Sequence, residues 1–105
     1  MNPVRALGPI TDLIVRTYDP DAVILFGSAA QGRAGPDSDI DLVVIARFRE
    51  PRSLRGRELA TLFDQYAVPL DVQFYTAEEF EREACVLSSF AAMVDRHGIR
   101  LYTRI

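Results

Sequence analysis

Gly27-Ser28-Ala29-Ala30-Gln31-Gly32-Arg33-Ala34-Gly35-Pro36-Asp37-Ser38-Asp39-Ile40-Asp41-Leu42-Val43-Val44 decides how the rest of the chain is read. It follows Ala22-Val23-Ile24-Leu25-Phe26, a continuous apolar run suited to a strand buried on both faces. Gly27-Ser28 turns that strand into a short helix. A glycine there lets the backbone approach a phosphate, and the first N–H groups of a helix are unpaired. The same two residues also fit an ordinary strand-to-helix turn with Ser28 as N-cap. It is not a Walker A loop, because the GKS/T ending is missing. After a loop, Asp39 to Ile45 reads as a second strand. Its alternation puts Asp39, Asp41 and Val43 on one face, with Ile40, Leu42 and Val44 on the other.

Two carboxylates at positions i and i+2 of a strand lie roughly 6.6 Å apart along it, at about 3.3 Å per residue. At that spacing they repel, and a divalent cation between them removes the repulsion. Hard oxygen ligands favour Mg²⁺ or Mn²⁺ over zinc. An exposed strand start, with both aspartates capping the loop, is the alternative reading. Asp71 bears on the choice. It stands in a third predicted strand, Leu70-Asp71-Val72-Gln73-Phe74-Tyr75, where an isolated carboxylate is costly to bury. If that strand pairs beside the second, Asp71 comes next to Asp39 and Asp41. Three converging carboxylates suit metal-assisted phosphoryl chemistry, one of them orienting or deprotonating a hydroxyl. An edge-strand aspartate facing water is the other possibility.

Outward from this centre the chain alternates. Val4, Leu7, Ile10, Ile14 and Tyr18 mark an amphipathic helix from Pro3 to Tyr18, interrupted at Gly8-Pro9, with its regular part expected from Pro9. Leu59, Leu62, Phe63 and Tyr66 give a third helix its apolar stripe. Thr76 with Glu79 forms a capping-box signal. The helix it opens is expected to run on through Phe80, Ala84, Leu87, Ala91 and Val94 to a cap at Gly98, where His97 suits the dipole. Ile99 to Tyr102 is a last short strand. On the final helix, Val86, Phe90 and Met93 add a second apolar stripe, and a helix apolar on two sides is deeply buried or docks a partner.

The chain has 105 residues, so one domain, 1–105, is expected. A net charge of −3 and pI near 5.0 argue against a generic nucleic-acid binder. All 12 basic residues are arginine, which removes lysine Schiff-base chemistry and leaves anion contacts to Arg and backbone N–H groups. Arg47, Arg49, Arg52, Arg55 and Arg57 read as a solvated segment or an anion-facing patch. Cys85, the single cysteine, reads as a small buried apolar residue; no internal disulfide is possible. No apolar run approaches the ~20 residues of a membrane span, and no signal peptide is seen, so a cytoplasmic protein is expected.

Gly27-Ser28, ten residues, Asp39-x-Asp41 and a later strand aspartate at Asp71 resemble the minimal nucleotidyltransferases of the DNA polymerase beta superfamily. The resemblance implies an α/β (α+β) fold, a mixed β-sheet flanked by helices. It further implies that Gly27 and Ser28 hold a triphosphate, with Arg33 and Ser38 beside it. Asp39 and Asp41 bind two Mg²⁺, Asp71 completes the site, and ATP is the donor. Short members of the family are encoded beside HEPN-domain proteins, and some act as antitoxins by nucleotidylating a tyrosine on that partner. Two alternatives stay open: a non-catalytic partner-binding subunit, and an aminoglycoside-type transferase subunit, which in that family carries a further helical domain; a homo-oligomer is compatible with each reading. The short chain leads to the expectation that the acceptor arrives on another polypeptide.

Overall fold

The computed structural model describes residues 3–33, 39–59 and 69–104. Four strands form one mixed sheet in the order β3-β2-β1-β4, with β1 Ala22–Phe26, β2 Ile40–Ile45, β3 Leu70–Tyr75 and β4 Ile99–Thr103. β1 pairs antiparallel with both β2 and β4, whereas β2 and β3 run parallel. The helices are α1 Pro3–Tyr18, α2 Gly27–Ala30, α3 Ala77–Ala84 and α4 Phe90–His97, with a 3₁₀ turn at Arg52–Leu54 and helical residues 57–59.

Both faces of the sheet are covered, which is why the central strands read as unbroken apolar runs. On one face Val23, Leu25, Ile40, Leu42 and Val44 pack with Ile10 and Ile14 of α1, and with Leu59 and Phe74. On the other, Ala22, Ile24, Val43 and Ile45 pack with Tyr75, Phe80 of α3, and Ala91 and Val94 of α4. The expected alternation of β2 thus holds, with Val43 beneath α3 and α4. The stripe residues Leu62, Phe63 and Tyr66 lie outside the described residues, as does Ser38.

Three expectations are corrected. Helix α1 starts at Pro3 and carries Pro9 inside it. Proline at that point forfeits one hydrogen bond near the start of the helix, while Ile10 and Ile14, both fully buried, hold the helix to the sheet. The long helix expected after Thr76 is two helices. Ser89 accepts a hydrogen bond from the Ala92 N–H (3.0 Å) and donates to the Glu83 carbonyl (2.6 Å), so it starts α4 and ties back to α3. Leu87 consequently sits in the connection, 77% exposed, instead of in the core stripe. Cys85, at the end of α3, is exposed and not a core residue.

The capping box opening α3 forms as the sequence predicts. The Glu79 N–H donates to the Thr76 hydroxyl at 3.2 Å, and the Thr76 N–H donates to the Glu79 carboxylate at 2.8 Å. Gly98 caps α4 with φ −73°, so it is not needed for a left-handed turn. It is needed for space, since a Cβ there would stand 2.5 Å from the Ile24 side chain and 2.6 Å from the Val94 carbonyl.

Candidate active site

The site is built where three strand ends meet. In the antiparallel register Phe26, the last residue of β1, stands opposite Asp41, and in the parallel register Asp41 stands opposite Asp71. Because side chains of directly paired residues project to the same face, both carboxylates rise on the side covered further along by Val43, Ile45 and α3. Asp39 immediately precedes β2 and is exposed. Asp71 is exposed on the sheet edge, and its Oδ1 accepts a hydrogen bond from Gln73 Nε2 at 3.0 Å.

Gly27 closes the site from the β1 side. Its φ is +76°, a conformation costly for any residue with a side chain. A Cβ built there would collide with Oδ2 of Asp41, and the next atoms it meets, Cγ at 3.2 Å and Cβ at 3.5 Å, also belong to Asp41. A side chain there would force the Asp41 carboxylate to move. Ser28 lies in the first turn of α2, whose N-cap is Phe26 with no side-chain capping bond, so Ser28 is not the N-cap. Arg33 lies beyond α2 rather than within it. It is exposed, and its guanidinium donates to the Gln31 side-chain oxygen.

Three neighbouring aspartates make the site anionic. Asp41 holds its proton more tightly than an ordinary aspartate, first because it is partly buried and then because Asp71 and Asp39 add negative charge. Among the described residues no three acidic, His or Cys side chains gather closely enough to enclose an ion. The donor set, carboxylate oxygens only, fits a hard divalent metal in preference to a soft one.

A family described as nucleotidyltransferase domain matches residues 11–97, from the middle of α1 to the end of α4. The chain belongs to that family. Nucleotidyltransferase activity follows from the membership. A search of curated proteins returned no match. Among solved structures, a crystal structure described as a toxin-antitoxin with AMP-PNP is similar, with TM-score 0.65 and 20% identity over 92% of this chain and 73% of that one. At that identity the likeness speaks to the fold, the mixed α+β architecture of polymerase beta-like nucleotidyltransferases. No helix among the described residues is long and apolar enough to cross a membrane.

Sequence reasoning missed how this nucleotidyltransferase domain uses its arginine-rich segment. The Arg55 side chain is 4% exposed. It donates to Glu79 through Nη1 (2.6 Å) and Nη2 (3.1 Å), to the Phe74 carbonyl (3.1 Å) and to the Glu50 carbonyl (3.0 Å). The hydrogen bond from Arg55, helped by the Thr76 N–H, holds the Glu79 carboxyl down at about 2. Arg52 pairs with Glu83 and lies over the Tyr75 ring at 4.3 Å. Two of the five arginines are therefore a clamp between the segment after β2 and the start of α3. Arg47, Arg49 and Arg57 remain exposed.

Proposed function

We propose that this domain transfers AMP from ATP to a hydroxyl of a partner protein, specifically a tyrosine of a HEPN-domain toxin that it restrains as an antitoxin. The observation that carries the reading is the register that sets Asp41 beside Asp71, with the bare backbone of Gly27 against the Asp41 carboxylate. Asp39, Asp41 and Asp71 would hold two Mg²⁺ ions, and Gly27 and Ser28, with Arg33 and Ser38, would hold the triphosphate. Bound there, the metal supplies the positive charge that neutralises the phosphate oxygens during transfer. Asp71, reached from solvent at the sheet edge, orients the acceptor hydroxyl and takes its proton. The hydroxyl oxygen bonds to the α-phosphorus in line as the bond to pyrophosphate breaks. The fold likeness to a toxin-antitoxin with AMP-PNP supports an adenine nucleotide donor and a protein partner. We take the whole chain as one such domain acting in the cytoplasm.

The test is direct. The protein is incubated with ATP, Mg²⁺ and the product of the adjacent gene, and the product is weighed intact. A mass gain of one AMP that disappears with Asp41→Asn is expected. No gain, or an undiminished gain with Asp41→Asn, overturns the proposal.

A further inference from the structure

The surface beside the site carries an apolar ridge that the fold does not use. From Cys85 to Val94 the chain reads Cys-Val-Leu-Ser-Ser-Phe-Ala-Ala-Met-Val, ten residues without a charge in a protein that is 26% charged. Ala91, Ala92 and Val94 face inward and are buried. Val86 (57% exposed), Leu87 (77%), Phe90 (39%) and Met93 (36%) face outward. Leu87, Phe90 and Met93 follow one another at three-residue spacing, the interval that keeps side chains on one side of a helix and its entry turn.

The ridge is continuous with the site. Phe90 meets Phe26 edge-on, with ring centroids 5.0 Å apart and planes at 83°. Phe26 is the register partner of Asp41 and the residue before Gly27. A groove of about 560 Å³, lined by Ala22, Ile45, Phe80 and Cys85 with Asp21 and Arg100, opens at the other end of the strands. Its floor residues Ala22 and Ile45 are four strand positions from Phe26 and Asp41, roughly 13 Å away. A large acceptor seated in that groove would lie toward the opposite end of the strands from the carboxylates, whereas the ridge reaches the site through Phe90 and Phe26.

Composition indicates what covers the ridge. Aromatic residues, Met and Arg are enriched in protein interfaces, while Asp and Glu are depleted. Arg96 is held against the ridge by a hydrogen bond to the Leu87 carbonyl at 3.1 Å. Among the described residues it has no carboxylate within 4 Å, whereas the nearby acids Glu83 and Asp95 are neutralised by Arg52 and Arg100. The matching surface is apolar at its centre with a carboxylate at its margin.

From this continuity and this charge pattern we infer that the Leu87–Phe90–Met93 ridge is the docking surface for the acceptor-bearing polypeptide, which meets it with an apolar patch edged by an acidic side chain that pairs with Arg96. The inference rests on the proposed transfer to a partner protein and adds the surface that delivers the hydroxyl.

Leu87→Glu and Met93→Glu test it, because both side chains point outward and neither touches the carboxylates. Binding of the adjacent gene's product is measured by calorimetry, ATP binding in parallel, transfer by intact mass, and self-association by sedimentation. The expected result is a loss of partner affinity of about tenfold or more in each variant, as for a central interface position, with ATP affinity and melting temperature unchanged. Wild-type partner affinity in both variants overturns the docking surface while leaving the transfer reading intact. Binding that is lost in the variants, without any mass gain in the wild type, upholds the surface and sinks the transfer reading. A wild-type dimer that Leu87→Glu dissociates shows that a second copy covers the ridge, and overturns the inference, as does a wild-type protein that does not bind the product at all.

Discussion

Replacing Gly27 with alanine separates two demands that the site makes on one residue. The first is conformational: φ of +76° costs an L-residue roughly 1–2 kcal/mol. The second is steric, since the new methyl group lands on the Asp41 carboxylate, and overpacking of that kind costs about 1–3 kcal/mol. Gly32 provides the control. Its φ is +71°, but nothing lies within 4 Å of a Cβ built on it, so Gly32→Ala pays only the first demand. Urea denaturation monitored by circular dichroism should therefore give a loss of about 1–2 kcal/mol for Gly32→Ala and about 2–5 kcal/mol for Gly27→Ala, with similar m-values. In an Asp41→Ala background no atom would stand closer to the Cβ than 3.5 Å, an ordinary contact. The excess cost of Gly27→Ala should then vanish, leaving a coupling energy equal to the steric part. Equal costs at Gly27 and Gly32, or an excess that survives Asp41→Ala, would refute the placement of the Asp41 carboxylate against the Gly27 backbone.

Other outcomes follow from the same geometry. Asp41→Asn should raise the melting temperature in metal-free buffer at neutral pH while abolishing transfer. Because folding raises the affinity of Asp41 for its proton, the penalty is full above its folded titration range and absent below the range of an unfolded aspartate. The gain should therefore fade as the pH drops towards about 4. Glu79 behaves oppositely. Its carboxyl, held at about 2 against an ordinary 4.5, stabilises the fold above pH 4.5 and loses that contribution as the pH falls towards 2. Glu79→Gln should cost about 1–2 kcal/mol at pH 7 after allowing for partial exposure, and the difference from wild type in denaturant titrations should shrink from pH 5 downward. Arg55→Met should cost about 3 kcal/mol, since it strands the Glu79 carboxylate and the Phe74 carbonyl at part-buried positions, and a loss under 1 kcal/mol in the same assay would contradict the clamp. Ser89→Ala should cost about 1 kcal/mol and speed amide exchange at Ala92, whose N–H the Ser89 hydroxyl accepts.

The strands and the site were legible because their signals are local. Ala22–Phe26 is apolar throughout since α1 and α4 cover opposite faces, and Asp41 and Asp71 stand between apolar neighbours at matching strand positions. The capping box at Thr76 likewise depends on residues three apart. What escaped depends on contacts between distant segments. Leu87 keeps the helical period of its neighbours, yet the Ser89 side chain offers α4 a start that periodicity does not register. Arg55 resembles the arginines around it and differs only in meeting Glu79 and Phe74, 24 and 19 residues away. Pro9 looked like a boundary because propensity counts the lost hydrogen bond and not the burial of Ile10 and Ile14.

Gly98 has an effect beyond making room. Together with the Phe26–Phe90 contact it pins α4 to β1 at both ends, over an eight-residue span of about 12 Å. A helix fastened at both ends holds Phe90 and Met93 at fixed spacing before anything meets them. Little conformational entropy is then left for this side to lose on association, and the ordering cost falls on whatever binds. Enlarging Gly98 would slacken that helix and weaken association from beneath, without altering any atom on the contacted surface.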